Sequence, residues 1–323
     1  MSMRMSAESR KNGLRPSPAG SFKTSRRKSL ARNWELYLML APVIAYFVIF
    51  HYLPMYGVQI AFKDYIAPKG VWGSPWVGFK HLERFVSSYY FWRIIWNTIS
   101  ISLYQLALVF PAPILLALMI NEVRSRMFKR TVQTVTYAPH FLSTVVTVGM
   151  LFIFLHPKTG LVSFILRWLE YPPIYFMTEP SWFKTVYVLS EVWQQAGWGT
   201  IIYLAALSSV DPQLHEAAKV DGASRLRRIY HINLPAILPT VMILFILNIG
   251  SLLSVGFEKV YLMQNSMNMA SSDIIATYVY RTGILGAQYS FSAAVGLLNS
   301  VINMMLLLTF NRLSRRVSGS SLW

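Results

Sequence analysis

The sequence lacks cysteine altogether and is poor in charge. With no cysteine among its 323 residues, the chain cannot form a disulfide framework, a thiolate metal site or a cysteine nucleophile. Only 13% of its residues are charged, against about a quarter in ordinary soluble domains, and 54% are hydrophobic. This balance excludes an ordinary soluble domain of this length and indicates a membrane protein.

Several chemical motifs are also missing. No Gly-Lys dipeptide occurs, so the chain has no phosphate-binding loop of the G-x-x-x-x-G-K-[ST] type. It has no Gly-x-Ser-x-Gly elbow, and its six histidines form no i, i+4 pair that would suit a metal. We therefore expect no cofactor, metal or catalytic site in this chain, and no enzymatic activity of its own.

Acidic residues are scarce, with 13 Asp and Glu against 30 Lys and Arg, for a formal net charge of +17. In a soluble protein such an excess suggests nucleic-acid binding, but here no aromatic residues are interleaved with the charge, so we expect no nucleic-acid partner.

Nine of the basic residues lie in residues 1–33, which are poor in apolar side chains. This segment is predicted to be a disordered cytoplasmic tail that touches anionic lipid.

Long hydrophobic runs are what the sequence has in abundance. Six runs are long enough to cross about 30 Å of hydrocarbon as helices. They are Leu36–Gly57, Ile94–Ile120, Thr131–His156, Thr185–Val210, Ala236–Phe257 and Phe291–Phe310. The predicted fold class is an all-α membrane protein with six transmembrane helices, a single domain over residues 34–316 and a short tail at 317–323.

The distribution of basic residues predicts the orientation. Residues 1–35, the two loops that follow the second and fourth runs, and the C-terminal tail together hold 20 of the 30 Lys and Arg residues. Basic segments stay in the cytoplasm, so both termini are predicted to be cytoplasmic in a bacterial inner membrane. The loop from Lys63 to Phe91 then lies outside, where it is a candidate docking surface.

One polar stretch interrupts the apolar runs. Between the fourth and fifth runs, Asp211 and then Pro212 predict a helix start, and Gly222 can take the left-handed conformation that ends a helix. Ser224 can begin a second short helix, so residues 211–235 are predicted to form a helix-turn-helix on the cytoplasmic side. From the pattern alone, this loop either rests on lipid headgroups or inserts into a cleft of another protein.

The same stretch carries a specific resemblance. It reads Glu-Ala-Ala, three residues, Gly, and then Ile-x-Leu-Pro, which resembles the signature loop of permease subunits of binding-protein-dependent ABC importers. The matching residues and the neighbouring acid are Glu216, Ala217, Ala218, Asp221, Gly222, Ile232, Leu234 and Pro235. The chain is most similar to oligosaccharide permeases of the maltose type, and within them to a branch for longer or acidic sugars such as alginate.

The resemblance implies partners and a mechanism. The loop would couple the permease to two separate ATPase subunits, which bind ATP and Mg²⁺. A second homologous permease would complete the pathway in the bilayer, and an extracytoplasmic solute-binding protein would deliver the saccharide.

A substrate pathway is suggested by polar and aromatic residues inside the runs. The fourth run holds Glu191, Trp193, Gln194, Gln195 and Trp198. Amides and indole rings suit a sugar, although interhelical hydrogen bonds and interfacial tryptophans explain them equally well. The resemblance maps all five onto sugar-contacting positions, with Glu191 standing where an amide is expected; an unpaired carboxylate there would repel an acidic substrate.

The fifth run adds Asn248, Ser251 and Ser254 at three-residue spacing, with Glu258 following near its end. Asn248 and Ser251 are assigned to the pathway, whereas Asn97 and Gln105 in the second run are expected to be mainly structural. Three alternatives stay open: a permease of the same class for another solute, a membrane-embedded enzyme, and a self-contained secondary transporter. The last two fit poorly, because the sequence shows neither clustered acid and base residues nor internal repeats.

Overall fold

A computed structural model describes residues 33–318 and Leu322, and within these residues it contains helices and no β-strand. A single isolated bridge joins Lys63 to Trp76. The prediction of an all-α fold is confirmed. The basic tail predicted for residues 1–33 lies, except for Asn33, outside the described residues, as does most of the predicted tail at 317–323.

The α-helices, in chain order, have the following bounds. They are α1 Trp34–Phe47, α2 Leu53–Met55, α3 Gly70–Gly73, α4 Lys80–Val86, α5 Phe91–Leu108, α6 Pro111–Asn121, α7 Arg126–Tyr137, α8 Thr144–Phe154, α9 Leu161–Trp168, α10 Pro180–Ser208, α11 Pro212–Val220, α12 Arg225–Arg228, α13 Leu234–Gly250, α14 Phe257–Met263, α15 Met269–Ser272, α16 Ile275–Tyr280 and α17 Tyr289–Ser318. Shorter 3₁₀ and π turns link several of them. The chain divides into two compact units between Gly57 and Val58.

Four helical stretches of the described chain are long and apolar enough to cross a membrane. They are Trp34–Phe62, Phe91–Asn121, Arg225–Gly250 and Tyr289–Arg316, and they coincide with the first, second, fifth and sixth predicted runs. A fifth crossing results if Arg126–Phe141 and Thr144–Phe154 count as one span. The predicted count of six spans is therefore not confirmed.

The third predicted run is not one straight helix. Its two halves, Arg126–Phe141 and Thr144–Phe154, meet at an angle of 102°. Pro139 has no N–H to continue the helical hydrogen bonds, so the chain tightens into a 3₁₀ turn there and ends extended at Leu142. Ser143 then starts α8 by accepting a hydrogen bond from the Val146 N–H at 3.3 Å.

The fourth predicted run forms α10, a helix of 29 residues that packs along α6, α7 and the 3₁₀ turn between the two halves of the bent third run. It is long enough to cross a membrane, but its polar residues keep it out of the apolar set above. Gly197 lets α7 approach closely, because a Cβ atom at this position would collide with the backbone of Thr136. This contact fixes α10 against the bent third segment.

Three buried apolar clusters hold the second unit together. The cluster nearest the polar loop joins α6, α10 and α13 through Ala117, Leu118, Tyr203, Leu207 and Ile237. A second cluster, at the other end of α5, joins Phe85, Ile94, Tyr278, Phe291 and their neighbours. The third and largest surrounds Tyr187 on α10. Both ends of the bundle therefore have packed cores, and polar groups lie between them.

Candidate functional site

The loop at residues 211–235 folds as the local sequence predicts. The Asp211 carboxylate accepts a hydrogen bond from the Gln213 N–H at 2.9 Å and starts α11, and the Ser224 hydroxyl accepts one from the Arg227 N–H at 3.4 Å and starts α12. Between the two helices, Gly222 has φ +73°, a conformation that costs a side chain about 1 kcal/mol or more. The predicted sharp turn is confirmed.

This loop presents a small-residue surface with apolar edges. Glu216, Ala217 and Asp221 are exposed, and Ala218 is half-buried. The apolar side chains Val220 and Leu226 are 88% and 78% exposed. Because large apolar side chains rarely stand free in water, this surface is suited to a partner protein or a lipid headgroup layer, the two alternatives that the sequence leaves open.

The second short helix is not separate from the next long one, which corrects the sequence prediction. Arg225–Arg228 continues through a π-helical turn, Ile229–Asn233, directly into α13. Ile232, Leu234 and Pro235 therefore lie within one continuous helical rod. Since Pro235 has no N–H to donate, the wider turn falls where regular α-helical bonding is already interrupted.

The base of this rod is anchored between other helices. Ile229 and Leu234 pack on the buried cluster that joins α6, α10 and α13. Asn233 is fully buried, and its Nδ2 lies 3.5 Å from a carboxylate oxygen of Glu122, just beyond the end of α6. A displacement of the exposed loop must therefore move these three helices as well.

The same three helices, together with α5, line a polar cavity of about 360 Å³. Four of the residues predicted to form a substrate pathway line it: Gln195, Trp198, Asn248 and Ser251. Ser254 and Gln105 line it too, so the weaker candidate Gln105 belongs to the cavity wall. The structure thus brings residues from the second, fourth and fifth predicted runs to one space.

An aromatic stack supports Trp198, which lines this cavity. The His140 ring stacks on Trp198, with centroids 4.5 Å apart and planes 4° from parallel, and Phe141 meets the same indole edge-on. His140 Nδ1 lies 3.0 Å from Gln195 Oε1, within hydrogen-bond distance. Sequence reasoning missed His140, because no local spacing connects it to residues 55 positions further along the chain.

Glu191 is paired with a lysine, whereas repulsion of an acidic substrate was expected only of an unpaired carboxylate. Lys259 Nζ donates to Glu191 Oε1 at 2.8 Å and to Gln194 Oε1 at 3.3 Å, and it lies 5.8 Å from the centre of the Tyr187 ring. The Lys259 side chain is only 4% exposed and that of Glu191 17%. Gln194 also donates to the Leu142 carbonyl at 3.1 Å, so its amide is used on both sides.

Trp193 is separated from the polar cavity. It lines a second cavity of about 420 Å³, whose walls are almost wholly apolar and include Leu151, Phe154, Phe176 and Leu189. The five residues predicted from the fourth run therefore divide into three groups. Gln195 and Trp198 face the polar cavity, Glu191 and Gln194 hold Lys259, and Trp193 faces the apolar cavity.

The remaining candidates have simple positions. Asn97 donates to the carbonyls of Ala270 and Asp273 at 2.9 and 3.2 Å, in keeping with the structural role expected for it. Glu258 is exposed and is absent from the lining of the polar cavity. No group of three His, Asp or Glu residues within the described part of the chain could hold a metal ion.

Comparisons with known proteins agree on one family. The profile described as "Binding-protein-dependent transport system inner membrane component" matches residues 110–319. Protein LplB of Bacillus subtilis is 45% identical over 295 residues, 91% of this chain and 93% of that protein. The polygalacturonan/rhamnogalacturonan transport system permease protein YteP of the same organism is 43% identical over 306 residues, 94% and 95% of the two chains.

A solved structure is similar over nearly the same extent. One chain of a bacterial ABC transporter involved in the import of the acidic polysaccharide alginate superposes with a TM-score of 0.85 at 43% identity. The match covers 91% of this chain and 99% of the other. The helical arrangement that surrounds the polar cavity is therefore shared with that transporter chain.

Proposed function

Because the chain belongs to the family of binding-protein-dependent transport system inner membrane components, we propose that it is the permease subunit of an ATP-driven importer for an acidic oligosaccharide or polysaccharide. The family resemblance inferred from Glu216, Gly222 and the Ile-x-Leu-Pro segment is confirmed. The observation that carries the proposed substrate class is the polar cavity shared by α5, α6, α10 and α13. Alginate, polygalacturonan or a related uronic-acid chain is the proposed cargo.

The walls of the cavity have the chemistry of a saccharide path. Sugars present apolar ring faces, which stack on aromatic side chains, and hydroxyl groups, which bond to amides and hydroxyls. Trp198 offers an indole face, Gln195 and Asn248 offer amides, and Ser251 offers a hydroxyl. A volume of about 360 Å³ suits a short stretch of a sugar chain rather than a whole polymer, so a long substrate would pass through in segments.

The ion pair removes an obstacle to an acidic substrate. A lone Glu191 carboxylate beside the path would repel each uronate group. Lys259, 2.8 Å away, compensates that charge and leaves the pair formally neutral. The cavity lining itself contains no Asp or Glu residue. Acidic sugars can therefore enter without meeting an uncompensated negative charge.

The loop at 211–235 is proposed to receive the driving force. Two ATPase subunits, which hold ATP and Mg²⁺, would dock on the exposed surface around Glu216 and Ala217. Since the loop is continuous with α13 and packed against α6 and α10, its displacement would reshape the cavity that these helices line. Alternating access then follows from rigid-body movement biased by nucleotide at a distant site.

Other subunits complete the proposed machine. A second homologous permease would supply the other half of the path, and both chain ends would lie in the cytoplasm. A solute-binding protein would deliver the saccharide to the opposite face, where the segment from Lys63 to Phe91 offers a docking surface. This segment is well ordered by its own contacts, such as the buried Lys63 ammonium, which donates to the Val71 carbonyl at 2.8 Å.

Reconstitution tests the proposal. The permease pair, the ATPase subunits and the binding protein would be placed in proteoliposomes, and uptake of labelled uronic-acid and neutral oligosaccharides would be compared. We expect ATP-dependent uptake of the uronic-acid chains and little uptake of neutral chains of equal length. Equal uptake of both would refute the acidic specificity, and uptake without ATPase subunits would refute the transport class.

A pair of loop variants tests the coupling role. Glu216→Ala should abolish substrate-stimulated ATP hydrolysis and co-purification of the ATPase, with membrane insertion unchanged. Gln213→Ala on the same short helix is the matched control and should behave as wild type. If Glu216→Ala retained both properties, the loop would be a membrane-surface element instead.

A further inference from the structure

A basic cluster lies at the end of the bundle away from the 211–235 loop. The helical stretch Phe91–Asn121 is 31 residues long, roughly 45 Å. Just after its C-terminal end, Glu122 contacts Asn233 of that loop. Its N-terminal end carries Arg93. The guanidinium groups of Arg93 and Arg281 lie 3.7 and 2.8 Å, respectively, from the same carboxylate oxygen of Asp273.

A third arginine faces the same group of rings. The Arg84 guanidinium lies 4.9 Å from the centre of Phe291, and that ring packs on Tyr278 with centroids 6.0 Å apart. Burial raises the pKa of the Tyr278 phenol, while the positive charges of Arg84 and Arg281 oppose that rise. Arg84 and Arg281 therefore lie near Tyr278, whereas the Arg93 guanidinium lies 4.9 Å from the centre of the neighbouring Tyr90 ring.

The positive charge of this cluster exceeds its negative charge. Asp273 is fully buried and is already bonded by Arg281 and by the Thr277 hydroxyl. Arg84 has no carboxylate within ion-pair distance among the residues that the structure describes. Asp273 thus serves two guanidinium groups and Arg84 has no carboxylate partner, so the positive charges of the cluster outnumber the negative charges by two.

Arg93 in particular lacks a full set of partners. Its Nε is buried without a hydrogen-bond acceptor, although the side chain as a whole is 37% exposed. Arg93 also sits in the first turn of α5, where the helix dipole favours an anion and disfavours a cation.

The surroundings identify the depth of the cluster in the membrane. Trp92 and Trp96 flank Arg93 on α5 and are 76% and 66% exposed, and Tyr89 is 90% exposed. Exposed tryptophan and tyrosine at the end of a membrane-crossing helix are typical of the membrane–water interface. At this depth the available anion is a phospholipid phosphate, and basic pockets between membrane helices bind such headgroups.

We propose that Arg84, Arg93 and Arg281 form a binding site for the phosphate of an anionic phospholipid, in the leaflet away from the 211–235 loop. The phosphate oxygens accept hydrogen bonds from the guanidinium groups. The acyl chains lie against the exposed tryptophans of α5. A uronate of the cargo could also bind guanidinium groups, but a saccharide has no reason to lie at lipid-facing tryptophans.

Native mass spectrometry of the full importer complex tests this site. Bound phosphatidylglycerol and phosphatidylcholine would be counted in titrations of the wild type and of Arg84→Gln and Arg93→Gln. Arg167→Gln is the matched control, because Arg167 is exposed near the end of α9 and bonds to backbone carbonyls. Arg281 is left intact, since it holds Asp273.

Each Gln variant should bind phosphatidylglycerol about fivefold more weakly than the wild type, with phosphatidylcholine and the Arg167→Gln control unchanged. Arg93→Lys, which keeps the charge, should recover part of the affinity. If Arg93→Gln does not assemble, Arg84→Gln, which leaves Asp273 untouched, decides the question.

Three results would overturn the proposal. One is equal phosphatidylglycerol binding by all variants. The second is displacement of the lipid by millimolar inorganic phosphate, which would indicate a free-anion site. The third is displacement by an alginate oligosaccharide, which would make the cluster a cargo site. Because lipid counting involves no transport, these outcomes are independent of the proposed import function.

Discussion

Removal of Lys259 should destabilise the fold by about 3 kcal/mol, because it leaves a carboxylate in a mostly buried site without its cation. Breaking a buried ion pair at one partner typically costs about 3–5 kcal/mol, and the 17% exposure of Glu191 favours the lower end of that range. Gln194 cannot replace the lysine, since its amide is neutral and one of its two N–H groups already donates to a backbone carbonyl. We therefore expect Lys259→Met to be clearly less stable than the wild type.

The double variant separates the ion pair from simple loss of packing. In Lys259→Met/Glu191→Gln no buried charge remains, so stability should return to within about 1 kcal/mol of the wild type. Lys184→Met is a suitable control, because the Lys184 ammonium donates to a neutral hydroxyl, that of Ser100, at 2.7 Å. Unfolding in mixed micelles by increasing sodium dodecyl sulfate, followed by tryptophan fluorescence, measures the differences.

Two results would refute this reasoning. If Lys259→Met and Lys184→Met lowered the free energy of unfolding equally, the ion pair with Glu191 would contribute no more to stability than the bond to a neutral hydroxyl. A double variant as unstable as Lys259→Met alone would mean that the methylene chain, rather than the charge, matters. In transport assays, Lys259→Met should reduce uptake of uronic-acid chains more than the double variant does, because only the single variant exposes the path to an unpaired carboxylate.

Three further predictions concern other parts of the chain. Gly222→Pro should abolish coupling of ATP hydrolysis to uptake while membrane insertion persists, because proline fixes φ near −65° and the turn requires +73°; normal coupling in this variant would contradict the docking role. Trp198→Ala should lower saccharide uptake at least tenfold, whereas Trp193→Ala, at the apolar cavity, should leave it within about twofold; the reverse order would place the path in the other cavity. The Lys80 ammonium, 2.7 Å from Asp64, holds the pKa of that carboxyl below its usual value of 3.8. Asp64→Asn should therefore remove stability that is present at neutral pH and lost as the pH falls below about 4. Thermal melts of wild type and variant that differ equally at pH 7 and pH 3 would argue against this contact.

Local rules predicted the loop at 211–235 well. An Asp before a proline, a glycine after nine helical residues and a serine before the next turn each act within a few residues of the chain. The structure reproduces all three. What the rules could not give is the continuity of the second short helix with α13, since a π turn has no distinct sequence signature.

Contacts between distant segments account for most of what sequence reasoning missed. Lys259 and His140 lie 68 and 55 residues from Glu191 and Gln195, and only tertiary packing brings each pair together. Their partners were named from the sequence, but the pairing itself was not visible in it. In the third run, Pro139 is the one sequence feature that indicates a bend. A proline does not determine the bend angle, which is 102° in the structure.

The separation of Trp193 from Trp198 was within reach of the sequence. Five residues along an α-helix turn a side chain by about 140° from its starting direction, whereas Gln195 and Trp198 are only about 60° apart. A helical projection therefore assigns the two tryptophans to different faces. Grouping them by chemical likeness and by the family resemblance did not take this geometric difference into account.

The unbroken rod from Arg225 to Gly250 has a mechanical consequence. A flexible connection between the loop and the long helix would transmit a translation of the loop but not its rotation. A single helix, anchored at its base around the buried Asn233, passes on both. A rotation of the exposed end about the helix axis would rotate Asn248 by the same angle. The side chain that the helix presents to the proposed sugar path would therefore depend on the rotation of the loop.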